Sequence, residues 1–430
     1  MKILTISDSP NLFSGLARVH RHIIDGLLEA GHSVLPCVWF GYDDLTMAKI
    51  KEKKIKPPAL SYKSTAQGES NGQEIPMLTI PKRKKFEEIK MLHEIIQMAK
   101  PDVVLTSSDY WDTWYFKLLK SKADFSFKWV AYLTIEREGI DKDLIPVLKY
   151  ADALAVPTLF GKKVLEGATE EKVHYIPYGL EPIFTRAFEE KRTSLKKERN
   201  CFGKLRFITV GQNTWRKNIP CLLQAIKILV EQKEIEGKEF YIHSNIDGVD
   251  AQEASIYDIR LIAEYLGITK YVRFPQNNVS LFAAPSDSVL VDEYNASDIC
   301  IVPSVCEGYG LILQEAMGCG LPVIASNWSV MPEMIGGNGL GAGERGWLTD
   351  TRLDFVPPAR PVLIPTPESL AATIRMSAEV FQKHPSSQNA YAEICSKYAK
   401  GRRWENTKRD ISELVMETSK APDKLPVENI

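Results

Sequence analysis

The densest chemistry in the chain lies in SVCEGYGLILQEAMGCGLPVIAS, residues 304–326. The apolar run ICIVP leads into a loop holding Gly308, Tyr309 and Gly310, and a helical pattern opens at about Leu311. Peptide N–H groups and the positive end of the helix dipole then face whatever lies beyond the strand, which makes the loop an anion site. Glu307 stands at the loop tip and Glu315 on the first turns of the helix, with seven residues between them. Two carboxylates beside a phosphate site accept hydrogen bonds from sugar hydroxyls, a pairing that suits a nucleotide sugar better than a bare nucleotide.

A second cluster is GQNTWRKN, which begins at Gly211 directly after a strand pattern ending at Val210 and precedes an amphipathic helix. A guanidinium and an ammonium side by side at a strand's carboxyl end, here Arg216 and Lys217, neutralise a diphosphate and stabilise the charge that builds on it as a bond to it breaks. In isolation an Arg-Lys pair is a solvated surface; the strand before it and the helix after it favour the functional reading. Ser14 and Gly15 occupy the comparable loop near the start of the chain, where glycine permits close backbone approach to a phosphate.

The elements that must carry these residues follow a repeating βα order. Ile3–Ile6 reads as a buried strand, Leu16, Val19, Ile23, Ile24, Leu27 and Leu28 form a helical stripe ending at Gly31, and Ser33–Phe40 reads as a second strand. Between Gly41 and Lys100 the pattern breaks down into Lys-rich, turn-rich sequence that reads mostly as exposed loop. Strand-like runs resume at Val103–Thr106, Trp129–Thr134, Ala153–Val156 and His174–Ile176. After a charged segment, Arg186–Asn200, the alternation restarts at Arg206–Val210 and continues through Phe240–His243, Tyr271–Phe274, Asp298–Val302 and Pro322–Ala325. Beyond the Gly- and Pro-rich stretch 336–367 two helices are expected, the last kinked at Gly401. The predicted domains are 1–182, with a Lys-rich insertion at about 45–90, and 203–400; a helix at about 402–420 returns to the first. Two doubly wound parallel sheets in tandem bind ligands at the carboxyl ends of their strands and form a cleft where they face.

Composition narrows the function classes. The chain has 430 residues, 44% hydrophobic and 25% charged, enough apolar material for two cores. Its 54 Lys and Arg balance 55 Asp and Glu, so no global field draws it to nucleic acid or acidic lipid. Seven scattered cysteines without a CxxC pair read as a reduced, cytoplasmic protein without structural zinc, and neither a secretion signal nor a transmembrane span is legible.

The chain resembles the retaining glycosyltransferases of family four (glycosyl transferases group 1), whose GT-B fold is two Rossmann-like domains facing a cleft. The resemblance rests on SGLARVHRHIIDGLLEAGHSV, YIPYGLEPIF, VGQNTWRKNIPCLLQAI, YNASDICIVPSVCEGYGLILQEAMGCGLPVIAS and a late aromatic helix around Arg403 and Trp404, in the family's order. It implies transfer of a hexose-type sugar from a UDP- or GDP-sugar to an acceptor hydroxyl with retention. Glu307 is implied to contact the donor sugar, Glu315 the ribose, Arg216 and Lys217 the diphosphate, and the 308–311 loop and the Ser14–Gly15 loop the phosphate region. No Asp-x-Asp motif sits in the matching region, and two cations supply the charge a metal would, so neither metal nor cofactor is expected. A GT-B epimerase or phosphorylase, or a non-catalytic nucleotide-sugar binder, would use the same contacts.

One departure stands out. Many relatives carry a His after the central strand that follows the Lys-rich region; here WVAYLTIEREG puts Glu136 about there, either a ligand for a donor or acceptor hydroxyl or a surface carboxylate beside Arg137. Asp109 and Tyr110, in TSSDYWDTWYF, are candidate acceptor ligands, with Trp111, Trp114 and Tyr115 either a sugar-stacking wall or core. Lys49–Lys90 carries about twice as many basic as acidic residues, which reads as a solvated face or as a contact for anionic membrane or duplex phosphates. The acceptor classes compatible with this reading run from saccharides, lipid-linked sugars and small metabolites to proteins and modified DNA bases.

Overall fold

The computed structural model describes residues 1–39, 60–64, 73–80, 85–246, 257–275, 286–337, 341–356 and 360–422. The chain divides into two units, Met1–Gly179 with Trp404–Ile430, and Leu180–Arg403.

Unit 1 begins with β1 (Lys2–Asp8), α1 (Gly15–Glu29) and β2 (Ser33–Trp39), then a hairpin, β3 (Leu60–Lys63) and β4 (Glu74–Thr79), and α2 (Lys85–Ala99). It continues through β5 (Val103–Asp109), α3 (Phe116–Lys122), β6 (Lys128–Thr134), the short α4 (Ile145–Leu148), β7 (Ala153–Val156), α5 (Leu159–Thr169) and β8 (Val173–Tyr175). The strands form one eight-stranded sheet in the order β3-β4-β2-β1-β5-β6-β7-β8, in which β3–β4 is antiparallel and the other pairs are parallel. Parallel strands are covered on both faces, which is why their central residues are mostly apolar and buried. Ser14 caps α1, its hydroxyl accepting from the Ala17 amide, and the stripe Val19, Ile23, Ile24 and Leu27 is buried.

Unit 2 runs α6 (Glu189–Glu198), β9 (Leu205–Val210), α7 (Ile219–Glu231), β10 (Lys238–His243), α8 (Ile259–Tyr265), β11 (Val272–Arg273), α9 (Asp287–Asn295) and β12 (Ile299–Val302). Then follow α10 (Leu311–Gly318), β13 (Val323–Ser326), α11 (Met331–Ile335), β14 (Gly341–Gly343), β15 (Gly346–Thr349), the hairpin β16 (Thr351–Val356) and β17 (Arg360–Pro365), α12 (Pro367–Lys383) and α13 (Ser387–Lys400). A seven-stranded sheet has the order β11-β10-β9-β12-β13-β15-β14. The final helix, α14 (Trp404–Lys420), belongs to unit 1, where Trp404 stacks on His22 at 3.9 Å between ring centroids.

Two expectations change. Within the stretch 41–100 the described residues hold β3, β4 and α2 where exposed loop is expected, and 41–59, 65–72 and 81–84 lie outside the described residues. The basic stretch Lys49–Lys90 otherwise lies largely outside the described residues. The Gly- and Pro-rich stretch 336–367 carries β14–β17, and the chain finishes in three helices, because Gly401 ends α13 and a separate helix starts at Trp404. The charged segment 186–200 is itself mostly helix, α6, tied down by Lys196 to Asp298 (2.6 Å) and Arg199 to Glu293 (2.6 Å) rather than by an apolar stripe.

In each sheet the strand order reverses once along the chain, between β1 and β5 in unit 1 and between β9 and β12 in unit 2. Loops leaving neighbouring parallel strands on either side of a reversal run apart, so a crevice opens at the carboxyl ends of that pair. Ser14, Gly15 and Asp109 lie at the first of these places, and Arg216, Lys217 and Glu307 at the second.

Candidate active site

In unit 2 the loop after β9 supplies the two cations. Gly211 donates its amide to the His243 carbonyl (3.2 Å), and Asn213 is buried with its side-chain amide on the Tyr257 carbonyl (2.5 Å), which fixes the loop's start. Residues Trp215–Lys217 make one 3-10 turn, Asn218 turns left-handed at φ 51°, and Pro220 sits in the first turn of α7, where its missing N–H costs nothing. The short turn throws Arg216 and Lys217 across the β9/β12 reversal toward the loop that follows β12.

That loop is held from both sides. The Val305 amide donates to the Arg216 carbonyl (2.8 Å), and Ser326, at the end of β13, donates to the Ser304 carbonyl (2.5 Å). Val305 and Cys306 pack with Trp328 and with Val362 of the β16–β17 hairpin. Glu307, 6% exposed, accepts Lys217 Nζ at 2.6 Å on Oε1 and Arg216 Nη1 at 2.8 Å on Oε2, and the same guanidinium nitrogen also donates to the Cys306 carbonyl (2.8 Å). Burial alone would raise the Glu307 pKa; Arg216 and Lys217 outweigh it and hold the carboxyl down at about 2. Burial depresses the Lys217 ammonium, with Glu307 acting against that shift.

Past Glu307, Gly308 is half-buried and Tyr309 buried, and Gly310 adopts φ +86°, a left-handed turn that favours glycine, before α10 begins at Leu311. No side chain caps α10 and its first turn holds no acidic residue, so its amides remain an anion-binding end. Glu315 is buried on the second turn. Arg216, Lys217, Glu307 and the start of α10 therefore meet around one reversal point, an arrangement able to hold a phosphate group beside a carboxylate.

In unit 1 the strand ends flanking the other reversal gather a different set. Ser14 donates to Asp8 at the end of β1 (3.1 Å), and Gly15 follows as the first residue of α1. Asp109, half-buried at the end of β5, lies opposite Thr134 in the β5–β6 register and accepts its hydroxyl at 2.5 Å. Tyr110 is fully buried, its hydroxyl accepting from Arg137 (2.8 Å), and Arg137 also pairs with Asp141 (3.8 Å). Glu136 follows β6, half-buried, two residues past the Asp109 partner. Trp111 is half-buried, Trp114 exposed and Tyr115 core, its hydroxyl donating to Glu88 (3.4 Å). Sequence reasoning passed over Asn213, Thr134 and Ser329; a polar residue at, or just past, the end of a buried strand was the available signal for the first two.

All seven cysteines are buried thiols, and burial pushes those of Cys37, Cys300 and Cys319 up, which makes them poor nucleophiles. Among the described residues no group of three or more His, Cys, Asp or Glu could hold a metal ion, and no helix is long and apolar enough to cross a membrane.

The family model of Glycosyl transferases group 1 matches residues 204–352, the stretch that carries Arg216, Lys217, Glu307 and Glu315. A D-inositol 3-phosphate glycosyltransferase of Corynebacterium jeikeium is 33% identical over 141 residues, 33% of this chain and 30% of that protein, so the match spans under a third of the curated relative's length. Sucrose-phosphate synthase from Thermosynechococcus elongatus superposes with a TM-score of 0.69 at 18% identity, covering 97% of this chain and 98% of that chain. Anabaena Alr3699/HepE, solved in complex with UDP-glucose, gives 0.65 at 14% identity over 97% of this chain and 100% of that chain. At these identities the structural likeness is one of fold. Two parallel-sheet α/β units, with a segment that matches the glycosyl transferases group 1 model on the second, give the chain the fold of the GT-B glycosyltransferases.

Proposed function

We propose that the chain transfers a hexose from a nucleoside-diphosphate sugar to an acceptor hydroxyl with retention of anomeric configuration and without a metal ion. The observation that carries this reading is the convergence of Arg216 and Lys217 on Glu307 beside the side-chain-free N-terminus of α10. In the donor complex the two cations turn to the diphosphate, backbone groups of Gly211 and of Gly308–Leu311, with Tyr309, line the phosphate region, Glu315 holds the ribose and Glu307 a sugar hydroxyl. Gly15 lends its loop to the donor. Asp109 and Glu136 are assigned to the acceptor, while Tyr110, expected there too, is fully buried with its hydroxyl accepting from Arg137.

As the bond from the anomeric carbon to the leaving phosphate oxygen breaks, negative charge grows on the diphosphate, where two fixed cations in a partly desolvated site lower the barrier most. We favour attack on the same face: the acceptor oxygen bonds to the anomeric carbon and its proton passes to the leaving phosphate oxygen. Trapping of a covalent glycosyl-enzyme would overturn that step.

The relatives' names suggest where to begin. UDP-glucose, present with HepE, heads the donors and GDP-mannose is its counterpart; a cyclitol phosphate and hexose phosphates head the acceptors, with oligosaccharides and hydroxymethylated DNA after them. Release of nucleoside diphosphate is measured for each pair. The reading predicts acceptor-dependent release that Glu307→Gln lowers by about a hundredfold or more. Turnover that needs no acceptor, or that requires inorganic phosphate, would replace it with an epimerase or phosphorylase.

A further inference from the structure

Glu307 is gripped at its peptide as well as at its carboxylate, and the grip on the peptide comes from a residue beyond the 304–326 segment. Ser329 lies in the loop between β13 and α11, 6% exposed, at φ +60°, a left-handed conformation that L-residues other than Asn, Asp and Gly rarely adopt. Its hydroxyl donates to the Glu307 carbonyl at 3.0 Å, and the Glu307 amide approaches the same oxygen at a long 3.4 Å. One side chain, 22 residues away in sequence, thus serves both backbone polar groups of Glu307. Its neighbours reinforce the approach: Ser326 donates to the Ser304 carbonyl, and Trp328 packs on Val305 and Cys306.

We infer that Ser329 is a positioning residue, whose hydroxyl fixes the Glu307 backbone so that only the carboxylate moves when it passes from Arg216 and Lys217 to a donor-sugar hydroxyl. The inference rests on the glycosyl-transfer reading above. Backbone strain persists where surrounding structure over-determines it, and at Ser329 what the strained conformation delivers is the hydroxyl at the Glu307 peptide. A glycine would hold the same φ without strain and without the hydroxyl, so Ser329→Gly separates the two effects. Because the grip acts through Glu307, its loss weakens recognition of the sugar and leaves recognition of the nucleotide.

The test titrates UDP, UDP-glucose, GDP and GDP-mannose into wild type, Ser329→Gly and Ser329→Thr, with melting temperatures measured in parallel. The expected result is a Ser329→Gly protein as stable as wild type that binds the free nucleotide within about twofold of wild type and loses about tenfold of the added affinity for the sugar nucleotide, the worth of one buried hydrogen bond. Ser329→Thr, which keeps the hydroxyl, recovers part of that loss. Ser329→Gly with wild-type sugar preference overturns the positioning role alone, as does equal weakening toward nucleotide and sugar nucleotide. A folded wild type that binds none of the four overturns the glycosyl-transfer reading and this inference with it.

Discussion

Lys217 and Arg216 each take one oxygen of a single buried carboxylate, Glu307, at 2.6 and 2.8 Å. Two cations on one anion leave a net positive charge at the end of β12, beside the positive end of α10. The group is self-consistent as it stands, since the carboxylate screens the repulsion between the cations, and it is ready to accept an incoming dianion.

The depressed Glu307 pKa makes this group visible in acid unfolding. Its folded value of about 2 lies below the ordinary 4.5, so its stabilisation is fully present above pH 4.5 and is lost as pH falls through 2. The effect is on the order of 3 kcal/mol. Urea unfolding of wild type and Glu307→Gln at pH 6, 4 and 3 is expected to show a stability gap that narrows toward acid; a constant gap would mean the carboxylate is not held down by its neighbours.

His20 contributes in a different window. It is fully buried in unit 1, with Nδ1 2.9 Å from the Asp8 carbonyl and Nε2 2.8 Å from the Thr5 hydroxyl. A carbonyl only accepts, so Nδ1 carries the proton and Nε2 accepts from Thr5. Burial lowers the pKa from 6.5 to about 4, with the Asp8 hydrogen bond opposing. The unfolded chain therefore takes up a proton that the folded one refuses, and stability falls as pH drops from 6.5 through 4. Replacing His20 with Gln should flatten the stability profile across that interval, and nitrogen NMR at pH 7 should report the Nδ1–H tautomer.

Gly179 marks a position where backbone meets backbone. A Cβ there would lie 2.2 Å from the Trp404 amide nitrogen and 2.5 Å from its Cα, with no flexible side chain to give way. Gly179→Ala is expected to cost about 3 kcal/mol or more, because the strand-end segment and the start of α14 must separate. An unchanged melting temperature would show that α14 docks more loosely than this packing implies.

What could be read from the sequence followed burial. Ile3–Ile6, Val103–Thr106 and Asp298–Val302 were legible as strands because both sheet faces are covered and most of the residues are apolar. β16 was not, since Leu353 and Phe355 are 59% and 62% exposed and Arg352 and Asp354 alternate with them. Nor was α6, whose buried Arg192 carries ion-pair rather than apolar periodicity. At the candidate site, Arg216, Lys217 and Glu307 could be named by type and by their place after strands. That one carboxylate takes both cations depends on the β9–β12 pairing, which joins segments some 90 residues apart. Ser329 was beyond reach, because its part depends on a φ of +60° and on the approach of one loop to another.

In the proposed donor complex Arg216 and Lys217 hold the diphosphate, and equilibrium titration of UDP-glucose and GDP-mannose into wild type and Lys217→Ala measures that hold. Wild type is expected to bind one donor saturably and Lys217→Ala to bind it at least about tenfold more weakly, the cost of losing a charge-assisted contact to phosphate. Equal binding by a folded Lys217→Ala, or no binding of either donor by folded wild type, would contradict that role.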